Sequence, residues 1–234
     1  MEDKETIIIS LGGSMIVPEE VDTDFLKEFK DLIISHVEKG KKFIIDTGGG
    51  RTCRKYQAAA KLINPDVSKE DLDWVGLTVN NANAQVVRVI FGEYACKKVF
   101  HDLTELELKD KILEYPVVIG GALEPGHSSD FDAVLAAETV GAKKIINLSN
   151  IDHVYDSDPK KNPDAKKFEI ISWEEYRNLI PKEWTNAGLS TPFDPIASKA
   201  AQEAGIEVAV MNGKPLDNLK NYLNGEKFSG TVIS

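Results

Sequence analysis

The chain has 234 residues, 42% hydrophobic and 28% charged, with 28 Lys plus Arg against 38 Asp plus Glu. That is the balance of a globular protein, and the length allows one large domain or two small ones. The formal net charge of −10 excludes an extended DNA- or RNA-coating surface, which has to be basic, but a single pocket can still be locally positive.

Other classes fall on pattern. The apolar runs stay far short of the roughly 20 residues that cross a bilayer. The start, Met-Glu-Asp-Lys-Glu, is acidic where a signal peptide is basic and then apolar, so a cytoplasmic protein is expected. Cys53 and Cys96 make no framework and are expected to be reduced thiols. The four histidines are scattered, without metal-ligand spacing.

In chain order, Ile7 to Leu11 reads as a buried strand ending at Gly12-Gly13. Phe25, Phe29, Leu32, Ile33 and Val37 recur at helical spacing before Gly40. Lys41 to Asp46 is a second strand, stopped by Gly48-Gly49-Gly50. Asp71 to Gly92 reads as a long helix with Leu72, Val75, Val79, Val86 and Ile90 as its apolar stripe. Pro116 to Ile119 is a strand ending at Gly120-Gly121. A helix over Ser128 to Val140 follows, with Ser128 or Ser129 as N-cap. Lys144 to Leu148 is a strand, Asp156 to Lys167 a polar loop, Pro195 to Ala204 a helix and Ile206 to Met211 a strand. Alternating strands and helices imply a mostly parallel sheet covered on both faces. The pattern runs to the end of the chain, so residues 1–234 are read as one domain.

Three glycine clusters follow strands: Gly12-Gly13, Gly48 to Gly50, and Gly120-Gly121 with Gly126. Glycine lets backbone N–H groups approach an anion, and a following helix N-terminus adds a favourable dipole. Strand ends also need turns, so one cluster means little. Three on one sheet point to a phosphate-rich ligand at the strands' carboxyl ends. Thr47 to Lys55 adds Arg51, Arg54 and Lys55 with no acid, a local +3. Arg after a glycine turn is placed to fork onto phosphate; the bland alternative is a solvated helix face.

Gly121 to Ser128 nearly fits the P-loop pattern, but His127 stands where its Lys belongs. A mostly neutral imidazole cannot supply that charge, which excludes a P-loop NTPase. The dinucleotide fingerprint G-x-G-x-x-G is absent as well. Asp130, Asp132, Asp152, Asp158, Lys160 and Lys199 could serve phosphoryl transfer, and spacing alone singles out none of them.

Taken in order, these motifs resemble the amino-acid kinase superfamily. They are Gly12-Gly13-Ser14, Gly48 to Gly50 with Arg54-Lys55-Tyr56, Pro125-Gly126-His127-Ser128-Ser129-Asp130, Asn150-Ile151-Asp152 with Val154-Tyr155, Asp158-Pro159-Lys160, and Asp194-Pro195 with Lys199. Within that superfamily the chain is similar to the UMP kinases of the archaeal type, from about Ile7 to Ile233.

The resemblance implies a three-layer α/β/α fold around a mainly parallel eight-stranded sheet. It implies the reaction ATP + UMP → ADP + UDP, with Mg²⁺ accompanying ATP. Gly12 and Gly13 would cradle the donor phosphates. Gly49 would contact UMP, and Gly50 and Arg54 would lie beside the phosphates. Asp73 would bind the UMP ribose. The loop of Gly121, Ala122, Pro125, Gly126, His127, Ser128 and Ser129 would wrap UMP. Ser149, Asn150, Tyr155 and Asp158 would form the ATP pocket. Lys199 would neutralise the transferred phosphoryl, and Asp130 would organise that lysine. Such enzymes are homohexamers, and many respond to UTP.

The chain departs from the family pattern in places. Ser10 stands where most of the superfamily has Lys, as in the archaeal type. The acceptor loop is one residue longer, with Ala122 where Thr is common. Ser149 replaces a Thr, His153 a Gly, and Asp132 a small apolar residue. A kinase of another small phosphate or carboxylate acceptor stays open, as does a non-catalytic nucleotide-binding or storage protein.

Overall fold

The computed structural model describes residues 5–126, 128–159, 161–182 and 191–234. The elements are β1 (Thr6–Leu11), α1 (Gly13–Ile16), α2 (Thr23–Val37), β2 (Lys42–Thr47), α3 (Gly50–Ile63), α4 (Lys69–Ile90), β3 (Ala95–Phe100), α5 (Glu107–Glu114), β4 (Val117–Gly120), α6 (Ser129–Val140), β5 (Lys144–Ser149), β6 (Val154–Tyr155), β7 (Lys167–Phe168), β8 (Ile170–Ile171), α7 (Trp173–Leu179), α8 (Pro195–Ala204), β9 (Glu207–Asn212), α9 (Asp217–Leu223) and β10 (Thr231–Ile233).

Among the described residues, eight strands form one sheet in the order β3-β4-β2-β1-β5-β9-β10-β8. Every neighbouring pair is parallel except β9 with β10. Alternation along β1 sends Ile7, Ile9 and Leu11 to one face and Ile8 to the other. The first face packs on α2, α4 and α9, through Phe25, Phe29, Ile33, Val87, Leu219 and Leu223. The second packs on α5 to α8, through Leu108, Ile112, Val134, Ala137, Trp173, Tyr176 and Ala201. The result is the expected three-layer α/β/α sandwich.

Two elements differ from the sequence reading. The edge strand β3 is not marked by periodicity, because exposed Lys97 and Lys98 interrupt its buried positions. Charge on an edge strand discourages pairing with another chain. In α4 the buried stripe is Gly76, Asn80, Asn83, Ala84 and Val87, while Leu72, Val75, Val79, Val86 and Ile90 are only half-buried. The helix turns a polar stripe inward because the glycine turn after β2 needs hydrogen-bond partners there. The polar loop after Tyr155 is tied at its base, where Asp156 N donates to Lys166 O and Lys166 N donates to the Asp156 carboxylate, both at 3.0 Å, as β6 meets β7. Lys160 lies outside the described residues.

Candidate active site

The carboxyl ends of β1, β2, β4 and β5 meet at one place, and the glycines explain how closely. Gly13 sits against the β2 turn so tightly that a Cβ there would lie 2.0 Å from Gly50 N and 2.5 Å from Gly48 O. Gly50 adopts φ +67, a left-handed backbone that side chains resist. The helix behind the turn anchors it: Asn83 Nδ2 donates to Gly48 O at 2.9 Å and to Gly49 O at 3.3 Å. Thr47 Oγ1 donates to Asn80 Oδ1 at 3.1 Å and to Gly120 O at 3.2 Å, joining β2, α4 and β4. On the far side, Gly12 N donates to Leu148 O at 2.9 Å, which joins β1 to β5.

A cavity of about 480 Å³ opens between this turn, α4 and the N-termini of α6 and α8. Gly49, Gly50, Arg54, Asp73, Ala122, Pro125, Gly126, Ser128 and Ser129 line it, so the structure brings together most of the acceptor set. Gly121 is buried beside it, at the end of β4. His127 lies outside the described residues. The donor set stands across the Gly12-Gly13 turn: Ser149 ends β5, Asn150 follows it, and Tyr155 lies on β6 with its ring edge-on to His153. Asp158 is exposed near Lys161, at 3.7 Å. These four do not line the cavity.

The basic run divides in three dimensions. Arg51 and Lys55 both reach Glu19, Lys55 at 2.9 Å, so the acid missing locally in sequence is supplied from the chain before α2. Among the described residues Arg54 has no ion-pair partner, and it faces the cavity.

Behind the turn lies a buried polar row. Asp46 on β2, Ser10 on β1 and Asn147 on β5 are register neighbours, and they point to the α6 side of the sheet. Ser10 Oγ and Asn147 Nδ2 donate to Asp130 Oδ1 at 3.1 and 2.7 Å, and Asp194 N donates to Asp130 Oδ2 at 3.2 Å. Asp194 caps α8, accepting from Ile196 N at 2.8 Å and Ala197 N at 3.0 Å, and its other oxygen accepts from Ser128 Oγ. Ser128 in turn caps α6, accepting from Phe131 N at 3.1 Å. Burial, then the Asp194 charge, push the Asp130 carboxyl up to about 7 against these donors.

The structure does not bring Lys199 and Asp130 together. Lys199 lies on the outer face of α8, exposed, 3.8 Å from Glu203, while Asp130 faces inward to β1 and β5. Ala197, Ser198 and Ala201 take the buried side of α8, which turns Lys199 to solvent. The polar contacts of Asp130 therefore position the β1 turn and the α8 N-terminus.

Asp46 is fully buried, and among the described residues neither oxygen has a hydrogen-bond partner of good geometry. Burial and the Asp132 charge hold its carboxyl well above the usual range. A raised folded-state value favours the neutral acid, so its contribution to stability is complete below the unfolded value and is lost as pH rises through the folded one. Asp46→Asn is therefore expected to stabilise the protein at pH 8 by about 1–3 kcal/mol, from roughly one to two pH units of differential protonation at about 1.4 kcal/mol each, with little gain at pH 4. Thermal unfolding at both pH values checks this, and an equal shift at both would show that charge is not the cause.

Asn80, Asn83, Gln57 and Lys69 were not found from sequence, although Gln57, Lys69 and Asn80 line the cavity. Asn80, Asn81 and Asn83 within one helix were the available signal, since Asn is a poor helix former without a tertiary reason.

The amino acid kinase family model matches residues 5–212. The uridylate kinase of Thermococcus kodakarensis is 33% identical over 227 residues, covering 97% of this chain and 98% of that protein. The uridylate kinase of Pyrococcus abyssi is 32% identical over the same length, with the same coverage. The crystal structure of uridylate kinase from Archaeoglobus fulgidus superposes with a TM-score of 0.80 at 31% identity, covering 97% of this chain and 99% of that one. A family model over most of the chain and full-length relatives above 30% identity show that the chain belongs to the amino acid kinase family.

Proposed function

We propose that this chain is a uridylate kinase, transferring the γ-phosphoryl of ATP to UMP to give ADP and UDP. The observation that carries the reading is the Arg54 guanidinium, without an ion-pair partner among the described residues, facing the cavity beside the Gly48 to Gly50 turn, a positive site in a chain of net charge −10. The volume falls within the roughly 300–1,000 Å³ of small-molecule pockets. The full-length likeness to proteins named uridylate kinase supports the choice of acceptor.

In this reading a phosphate oxygen of UMP attacks the γ-phosphorus, the bond to the β-phosphate oxygen breaks, and the electron pair leaves with ADP. UMP is already anionic, so no base is needed. The obstacle is the repulsion of two polyanions, which fixed N–H donors and cations offset. Gly12, Gly13 and Gly50 would hold donor phosphates, with Arg54 between donor and acceptor. Gly49, Asp73 and the loop from Gly121 to Ser129 would hold UMP. Ser149, Asn150, Tyr155 and Asp158 would receive the nucleoside of ATP. Mg²⁺ would enter as the ATP complex. Lys199 would swing to the moving phosphoryl, since an exposed pairing such as that with Glu203 is worth little.

The wider reading is a cytoplasmic, one-domain homo-oligomer, hexameric by family resemblance, that responds to UTP. No helix among the described residues is long and apolar enough to cross a membrane. One sheet drawn from Thr6 to Ile233 supports a single domain. The helix α3 buries none of its residues and exposes Tyr56, Leu62 and Ile63, a face suited to a second copy of the chain.

The test is ADP release with UMP, CMP, isopentenyl phosphate and acetylglutamate in turn. UMP is expected to exceed CMP by about tenfold or more, because exchanging a base acceptor for a donor mismatches a hydrogen bond. Preference for another acceptor would overturn the assignment, and no turnover with any would favour a binding or storage role.

A further inference from the structure

The acceptor loop is held from outside the cavity. Asn81 on α4 does not line the cavity, yet its side-chain amide meets both polar groups of one residue that does. Asn81 Nδ2 donates to Ala122 O at 3.1 Å, and Ala122 N donates to Asn81 Oδ1 at 2.9 Å. This two-point bond settles which amide atom is the oxygen, because Ala122 offers one donor and one acceptor in fixed positions. His101, the residue after β3, places Nδ1 3.1 Å from that oxygen. An amide oxygen only accepts, so His101 donates from Nδ1. Asn81 is thus gripped on two sides, and its amide does for Ala122 what a neighbouring strand would do.

The loop needs this. One step earlier, Gly121 N donates to Phe100 O at 2.9 Å, the last backbone bond of the β3-β4 pair. Among the described residues beyond Ala122, the next anchor is Ser128, held by Asp194 and by its own cap on α6. Among the described residues, no backbone–backbone bond holds 122–126. Leu123 and Glu124 are exposed between the anchors. Ala122, Pro125 and Gly126 line the cavity, so where Ala122 stands sets the wall an acceptor meets.

We propose that Asn81 is a positioning residue for the acceptor nucleotide, acting through the Ala122 peptide and held in place by His101. The proposal rests on the reading of this loop as the site of a nucleoside monophosphate. A carboxylic acid offers the same one donor and one acceptor as the amide, whereas a carboxylate offers only acceptors and would face the Ala122 carbonyl. Asn81→Asp therefore restores the pairing only when protonated.

The experiment uses the full chain. Wild type, Asn81→Ala and Asn81→Asp are compared by steady-state kinetics with UMP and with ATP varied. Hydrogen exchange of the peptide spanning 120–126 is followed in the unliganded proteins. Asn81→Ala is expected to raise KM for UMP about tenfold, keep KM for ATP within about twofold, and change kcat by less than about threefold. The exchange of 120–126 should quicken while that of α6 does not. For Asn81→Asp, whose carboxylate is ionised at the assay pH and turns an acceptor toward the Ala122 carbonyl, KM for UMP should rise at pH 8 by about tenfold, as in Asn81→Ala. Unchanged exchange at 120–126, or equal rises in both KM values, would overturn the proposal. Lack of UMP turnover by the wild type would instead sink the uridylate kinase reading, and the exchange measurement would still decide whether Asn81 holds the loop.

Discussion

Replacing Arg54 by alanine lowers kcat/KM for UMP phosphorylation by about 10² or more, a loss of roughly 3 kcal/mol of transition-state stabilisation. The expectation follows from where the guanidinium stands. It lies in the cavity without an ion-pair partner among the described residues, while its neighbours Arg51 and Lys55 are committed to Glu19. Because Arg54 stabilises nothing in the folded protein by pairing, Arg54→Ala should leave thermal stability within about 0.5 kcal/mol of wild type. Arg54→Lys should recover only part of the rate, since an ammonium lacks the planar fork that grips a phosphate at two points. Arg51→Ala, which breaks an exposed pair, serves as the control and should stay within about threefold. Near-normal kcat/KM for Arg54→Ala would return the residue to a solvated helix face.

Gly13→Ala is expected to cost both fold and activity: about 3 kcal/mol or more of stability, at least 6 °C in Tm, and roughly 10³ in kcat/KM. The added Cβ would stand 2.0 Å from Gly50 N and 2.5 Å from Gly48 O, which are main-chain atoms and not the ends of flexible side chains. The strands leading into the two turns are locked in register, with Leu11 opposite Thr47, so neither backbone can retreat alone. Gly12→Ala provides the scale. Its Cβ would meet Leu148 O at 3.1 Å, a tight contact that a small shift relieves, and it should lose several-fold less. Calorimetry and steady-state rates on the two variants check the ordering. A folded, active Gly13→Ala protein with wild-type Tm would show that the β1 and β2 turns part freely.

Much of this was legible before any coordinates. The runs Ile7 to Leu11 and Lys144 to Leu148 put apolar residues on both faces of the strand, as a parallel sheet covered on both sides requires. Glycines at three strand ends marked the side of the sheet that holds the site. The helix over Pro195 to Ala204 was readable to the residue, because Asp194 and Pro195 start it and Gly205, at φ +61, ends it. The edge strand β3 was not legible, since its exposed lysines break the pattern. The polar stripe of α4 was hidden for a related reason: a helix that serves a turn does not present its apolar residues where amphipathicity predicts.

By itself, the sequence determined the class of fold, the strands that carry glycine turns, and a basic segment after the second of them. These are local properties, written in periodicity and in residues whose backbone freedom is special. Only the tertiary structure decided which cation of the Thr47 to Lys55 run is without an ion pair among the described residues. Glu19 and Arg51 are distant in sequence, and their pairing leaves Arg54 to the cavity. Only the structure turned Lys199 outward and set Asp130 among Ser10, Asn147 and Asp194, raising its carboxyl to about 7. The physical reason is the same throughout. Burial and the partner of a charge are set by segments far apart in the chain, and they determine whether a charged residue is structural or left for a ligand.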